Sequence, residues 1–130
     1  MNNTLLRKYF AIGAVGAALA VALGAFGAHG LKETLSDRLL EIYETGVRYH
    51  MYHALGLMLV ALLADRLGES KLLRTGANLL IAGVVIFSGS LYALALTDKS
   101  ILGAITPIGG VAFLAGWGCI VAAAVRKGIK

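Results

Sequence analysis

The 130-residue chain has three histidines, all in apolar stretches. His29 ends one uncharged run, and His50 and His53 begin another beside Tyr49 and Tyr52. Ser88, Ser90 and Tyr92 form a third polar grouping, and Thr106 with Pro107 a fourth. An imidazole can hydrogen-bond, move a proton near neutral pH, or ligate a metal through an unprotonated nitrogen. His50 and His53, three residues apart, would share a helix face and could offer two nitrogens to one metal, although no carboxylate or Cys joins them in that run. Metal or haem ligation by His29 with His50 or His53 is therefore one reading, with the metal undefined. A second is a small polar pocket in which His29, His53, Tyr49 and Tyr92 hydrogen-bond a lipid headgroup, a quinone-like molecule or a small solute. The plainest is interfacial anchoring, since Tyr and His both tolerate headgroup depth. Cys119 lies in an apolar run with no His expected near it, so it is a poor nucleophile. No catalytic residue is assigned, no cofactor is predicted, and a non-enzymatic protein is the preferred reading.

The elements that must position these groups follow from the placement of charge. Only 15% of the residues are charged, against about 25% in ordinary soluble domains. All 19 charged side chains fall outside four uncharged runs, 9–31, 49–64, 75–97 and 100–125. A bilayer core needs roughly 20 mostly apolar residues per helical crossing. The expected fold is all-α, a four-helix transmembrane bundle forming one membrane domain over 1–130. Its spans are expected at about 9–29, 47–65, 75–96 and 101–125. High hydrophobicity excludes a disordered chain, and a single Cys excludes an internal disulfide framework. No basic stripe with interleaved aromatics suggests nucleic-acid binding. The basic head Arg7-Lys8 before an apolar run also resembles a secretory signal, but the run is long for one and three more follow, so a retained helix is preferred.

The second run is short, 16 residues, and must borrow length from the segment before it. In that segment, 31–46, Leu31, Leu35, Leu39, Ile42 and Tyr43 recur at helical spacing between charged residues. It reads as a short amphipathic helix between spans 1 and 2, resting in the interface or capping the bundle. Counting Lys and Arg in the flanks gives eight on the side of the termini and four on the other, so both termini are expected in the cytoplasm.

Helices in lipid associate through close approach at small residues. Gly16, Ala20 and Gly24 recur every fourth residue with Gly27 beside them, Gly83 lies on the third span and Gly116 on the fourth. These are the expected packing positions. Thr106-Pro107 allows three arrangements: a helix start, a kink in a helix begun near Ser100, or a broken helix facing a ligand. In the four-span topology His29, the Tyr49–His53 stretch, Ser88, Ser90, Tyr92 and Thr106 converge on the outer leaflet. Unpaired polar groups are costly at that depth, which favours mutual bonding or a wet cavity.

Several segments together resemble a known family. They are Val21-Ala-Leu-Gly-Ala-Phe-Gly-Ala-His29, Thr45-Gly46 with Tyr49-His50 and His53, Phe87-Ser-Gly-Ser-Leu-Tyr92, and Thr106-Pro-Ile-Gly-Gly-Val-Ala-Phe-Leu-Ala-Gly-Trp117. In this combination and order the chain resembles the small multi-pass membrane proteins catalogued as domain of unknown function 423. The resemblance implies a four-span protein of the bacterial plasma membrane and supplies no substrate, cofactor or catalytic residue. The expected partners are membrane lipid and, for any pore, further copies of the chain. The expected activity is contact with lipid, small solute or a partner at the outer-leaflet cluster, the alternative being a His-dependent redox or metal- or haem-binding component.

Overall fold

A computed structural model of the protein describes residues 4–129, with side chains for 6–126. Lys127 and Lys130, two of the cations used for orientation, lie outside the described side chains. Helix α1 (Thr4–Phe26) passes into a π-turn at Gly27–Leu31. Helix α2 (Asp37–Leu67) follows, then α3 (Lys71–Gly83), a second π-turn (Val84–Ser88) and α4 (Gly89–Thr97) in one continuous rod. A 3-10 turn at Ser100–Ala104 leads into α5 (Thr106–Ile129). Four of these stretches, Leu6–Leu31, Asp37–Leu67, Lys71–Thr97 and Ser100–Arg126, are long and apolar enough to cross a membrane. The protein is an all-α, four-helix transmembrane bundle.

Local chemistry sets the helix ends. Ser36 accepts a hydrogen bond from the Leu39 N–H at 3.2 Å and Asp37 occupies the first turn, both favourable at an N-terminus. Gly68 ends α2 at φ +88°, a conformation that disfavours any side chain, and returns its N–H to the Ala64 carbonyl. Ser70 then caps α3 through the Leu73 N–H. Proline sits in the first turn of α5, where its missing N–H breaks no helical bond, so the structure selects the helix-start arrangement among the three for Pro107.

One expectation is corrected. The amphipathic segment is not a separate interfacial helix. From Asp37 onward it is continuous with the second span, and 32–36 are turn and cap. At 31 residues and about 1.5 Å per residue, α2 exceeds a hydrocarbon core of about 30 Å, so its charged first turns project beyond the bilayer. The third span carries a π-turn at its middle.

The central pair is α2 with the α3–α4 rod. Helix α1 packs along α2, and α5 packs along α3. The core between them includes Leu57, Val60, Ala61, Leu73, Ala77 and Leu80, all nearly sealed from the exterior. The outward faces are as apolar as the core. Leu114 is 74% exposed and Leu59 64%, an arrangement stable in hydrocarbon and costly in water.

The packing glycines act by close approach. A Cβ on Gly13 would lie 2.7 Å from the Ala54 carbonyl oxygen of α2, and one on Gly16 3.2 Å from the Ala54 Cβ. Ala20 is buried, and Gly27 is covered by the Tyr43 ring. Gly76 and Gly116 oppose each other across α3 and α5, each 3.1 Å from the other's carbonyl oxygen when given a Cβ. Gly24 is looser, with Val47 Cγ1 at 3.4 Å.

Candidate functional site

His50 and His53 lie one turn apart on α2, and both are buried. Their side chains diverge to different helices. His50 Nδ1 shares a 2.9 Å hydrogen bond with the Tyr92 hydroxyl on α4, and its Nε2 faces the Gly16 region of α1. His53 turns toward α5, where its ring stacks on Phe113 with centroids 3.6 Å apart. The Trp117 indole N–H donates to His53 Nε2 at 3.0 Å, and His53 Nδ1 donates to the Tyr49 carbonyl at 2.7 Å. An indole nitrogen can only donate and a carbonyl can only accept. His53 is therefore neutral and carries its proton on Nδ1.

The remaining polar groups are also paired. Ser88 Oγ donates to the Gly46 carbonyl at 2.7 Å, joining the π-turn to α2. Ser90 Oγ donates to the Phe87 carbonyl at 2.9 Å and lies 2.6 Å from Thr106 Oγ1, tying α4 to the start of α5. Tyr43 donates to the Leu23 carbonyl of α1 at 2.5 Å, its ring 5.4 Å from that of Tyr92. No buried side-chain nitrogen or oxygen among the described residues lacks a partner. His50, His53, Ser88, Ser90, Tyr92 and Thr106 thus form interhelical contacts in one half of the bundle.

His29 is outside this network. It is exposed on the first π-turn and makes no hydrogen bond with any described residue. Tyr49 contributes its carbonyl to His53 and its ring to Phe87, at 4.7 Å between centroids. Its hydroxyl makes no hydrogen bond among the described residues. Residues that sequence reasoning did not assign to the site complete the arrangement: Tyr43, Gly46, Gly56, Phe87, Phe113 and Trp117. A Cβ on Gly46 would meet the Tyr92 ring at 2.9 Å, and one on Gly56 the Trp117 ring at 2.9 Å. The available signal was a single tryptophan, whose N–H needs an acceptor when taken out of water.

Metal ligation by the His50–His53 pair would require both rings to turn toward one point, and His53 would give up Trp117 or Tyr49. Among the described residues no group of three or more His, Cys, Asp or Glu side chains could hold a metal ion.

Two cavities adjoin His53. A crevice of about 90 Å³ lies between α1, α2 and the third span, bounded by Gly13, Gly16, His50, His53, Leu80 and Val84 among others. A groove of about 530 Å³ opens between α2 and α5 on the apolar outer face of the bundle. Its walls are Tyr49, His53, Phe87, Pro107, Phe113 and Trp117. A Cβ added to Gly110, which also lines the groove, would meet nothing within 4 Å.

Comparison with known proteins agrees with this architecture. Residues 23–110 match the family described as Protein of unknown function (DUF423). The chain is 55% identical over 121 residues to the UPF0382 membrane protein YwdK of Bacillus subtilis, a match covering 93% of this chain and 98% of that protein. It is 48% identical over 122 residues to a UPF0382 membrane protein of Staphylococcus epidermidis, covering 93% and 98% of the two chains. A UPF0382 membrane protein of Haemophilus influenzae is 43% identical over 110 residues, covering 85% and 87%. No solved structure matches the chain. On the matched residues and their shared length, the chain belongs to the DUF423, or UPF0382, family of membrane proteins.

Proposed function

We propose that this protein is a non-enzymatic component of the bacterial plasma membrane, with both termini cytoplasmic, that binds an amphiphilic small molecule or lipid of the outer leaflet. The supporting observation is the groove walled by Tyr49, Phe87, Phe113 and Trp117. It opens sideways, so a ligand enters from the bilayer. Its walls are ring faces, which bind flat or unsaturated apolar groups by dispersion and stacking. The buried polar groups beside it already have partners, which leaves the Tyr49 hydroxyl to meet a polar ligand atom. The polar cluster in this reading is the frame that holds the groove open, and His53 sets Trp117 and Phe113 in place.

Trp117 is the only tryptophan in the chain, so its emission reports directly on the groove. Short-chain ubiquinone, whose ring quenches indole, is the probe in detergent. Saturable quenching is expected in the wild type. Gly110→Leu should fill the groove without a backbone clash and remove the saturable component while leaving the melting temperature unchanged. Linear, unsaturable quenching in the wild type, or identical curves for the two proteins, would contradict a site for ring-bearing amphiphiles at this groove. Native mass spectrometry of gently extracted protein checks the wider class: a retained lipid lost in Gly110→Leu supports it.

A further inference from the structure

At the other end of the bundle, the beginning of α1 and the end of α2 leave a shallow groove of about 470 Å³. It is lined by Leu6, Arg7, Phe10, Ala11 and Leu62. Arg66 lies four residues beyond Leu62, so both are on one face of α2. Arg7 and Arg66 are exposed, and neither makes an ion pair with a described residue. The contrast with Arg74, held near Glu69, and Arg38, paired with Asp98 at 2.8 Å, is clear. Asp65 stands beside Arg66 in sequence but is turned about 100° around the helix from it. Among the described side chains this end holds Asp65 and Glu69 against six Lys and Arg, whereas the far end has five acids and four basic residues. An apolar groove lined by Arg7, with Arg66 one turn beyond its Leu62 wall and neither guanidinium paired with a described residue, has the chemistry of a phospholipid site: guanidinium forks match phosphate oxygens, and the groove floor takes an acyl chain.

We infer that this groove binds an anionic phospholipid, its phosphate facing Arg7 and Arg66 and one acyl chain lying along Phe10, Ala11 and Leu62. The site is separate from the aromatic groove and does not depend on its function. Net negative headgroup charge is selected because the Lys and Arg at this end outnumber its acids, while the acidic outer end of the same helix pair would disfavour an anion.

The test is native mass spectrometry of the full chain in mild detergent, titrated with phosphatidylglycerol or with phosphatidylcholine of the same acyl chains. Wild type should retain phosphatidylglycerol selectively. The double variant Arg7→Gln/Arg66→Gln should lose about thirtyfold in its retention, with phosphatidylcholine unaffected, and Arg7→Lys/Arg66→Lys should keep most of the selectivity. Leu62→Trp leaves every charge in place and fills the groove, so it should lower phosphatidylglycerol retention even if the glutamine variant fails to fold. Equal retention of the two lipids by the wild type would overturn the inference. So would undiminished phosphatidylglycerol binding in folded glutamine or tryptophan variants, or inorganic phosphate alone giving the same adducts as the lipid.

Discussion

An imidazole that receives the Trp117 N–H at Nε2 and gives its own proton to the Tyr49 carbonyl has a single neutral tautomer. Nitrogen-15 spectra of His53 at neutral pH should show Nδ1 protonated and Nε2 bare, and the reverse assignment would refute the hydrogen-bond scheme. The His53–Trp117 bond should also register thermodynamically. In a double-mutant cycle of His53→Ala and Trp117→Phe, a coupling of about 0.6–1.7 kcal/mol is expected from the range for interhelical bonds in bilayers. A value indistinguishable from zero would make the contact incidental. At this scale the sequence was only partly legible. His50 and His53 were recognisable because buried polar groups in an apolar run need partners. The identity of those partners was not, because Trp117 is 64 residues from His53 and on another helix. His29 had the same residue type and apolar context yet ends on an exposed turn.

Helices carry the next level of prediction. Small residues every fourth position marked the face of α1, but not how closely α2 approaches at each one. Gly13, absent from the expected stripe, faces backbone, whereas Gly24 faces only a flexible valine terminus. Gly13→Ala should therefore destabilise the bundle by about 1–3 kcal/mol, the range for overpacking. Gly24→Ala should be nearly neutral. Thermal melting of both in one detergent checks the order, and a reversed order would contradict the α1–α2 geometry. Gly118→Leu provides an external control, since nothing lies within 4 Å of an added Cβ. Its melting temperature should match the wild type. The π-turn at Val84–Ser88 also acts at this scale. Each inserted residue rotates the remainder of the rod by roughly 100° relative to an unbroken α-helix, so Ser90 and Tyr92 occupy faces that counting by 3.6 does not give.

At the scale of the whole molecule, charge placement sets the topology and hydrocarbon sets the surface. On a Cys119→Ser background, Lys8→Cys and Arg126→Cys should react with a membrane-impermeant maleimide only after the cells are opened. Glu41→Cys should react in intact cells. Labelling of Lys8→Cys and Arg126→Cys from opposite sides would refute an even number of crossings.

The one-dimensional pattern determined that this chain is helical and enters the membrane four times, because burying a charge or an unpaired peptide group in hydrocarbon is too costly for any other segmentation of these residues. It also marked the half of the bundle where polar groups collect. Tertiary structure alone decided that the amphipathic stretch continues into the second span and that the two neighbouring histidines point to different helices. It alone revealed the grooves at either end. Those outcomes depend on helix rotation and on contacts between side chains from separate spans, and neither quantity is encoded in the spacing within one span.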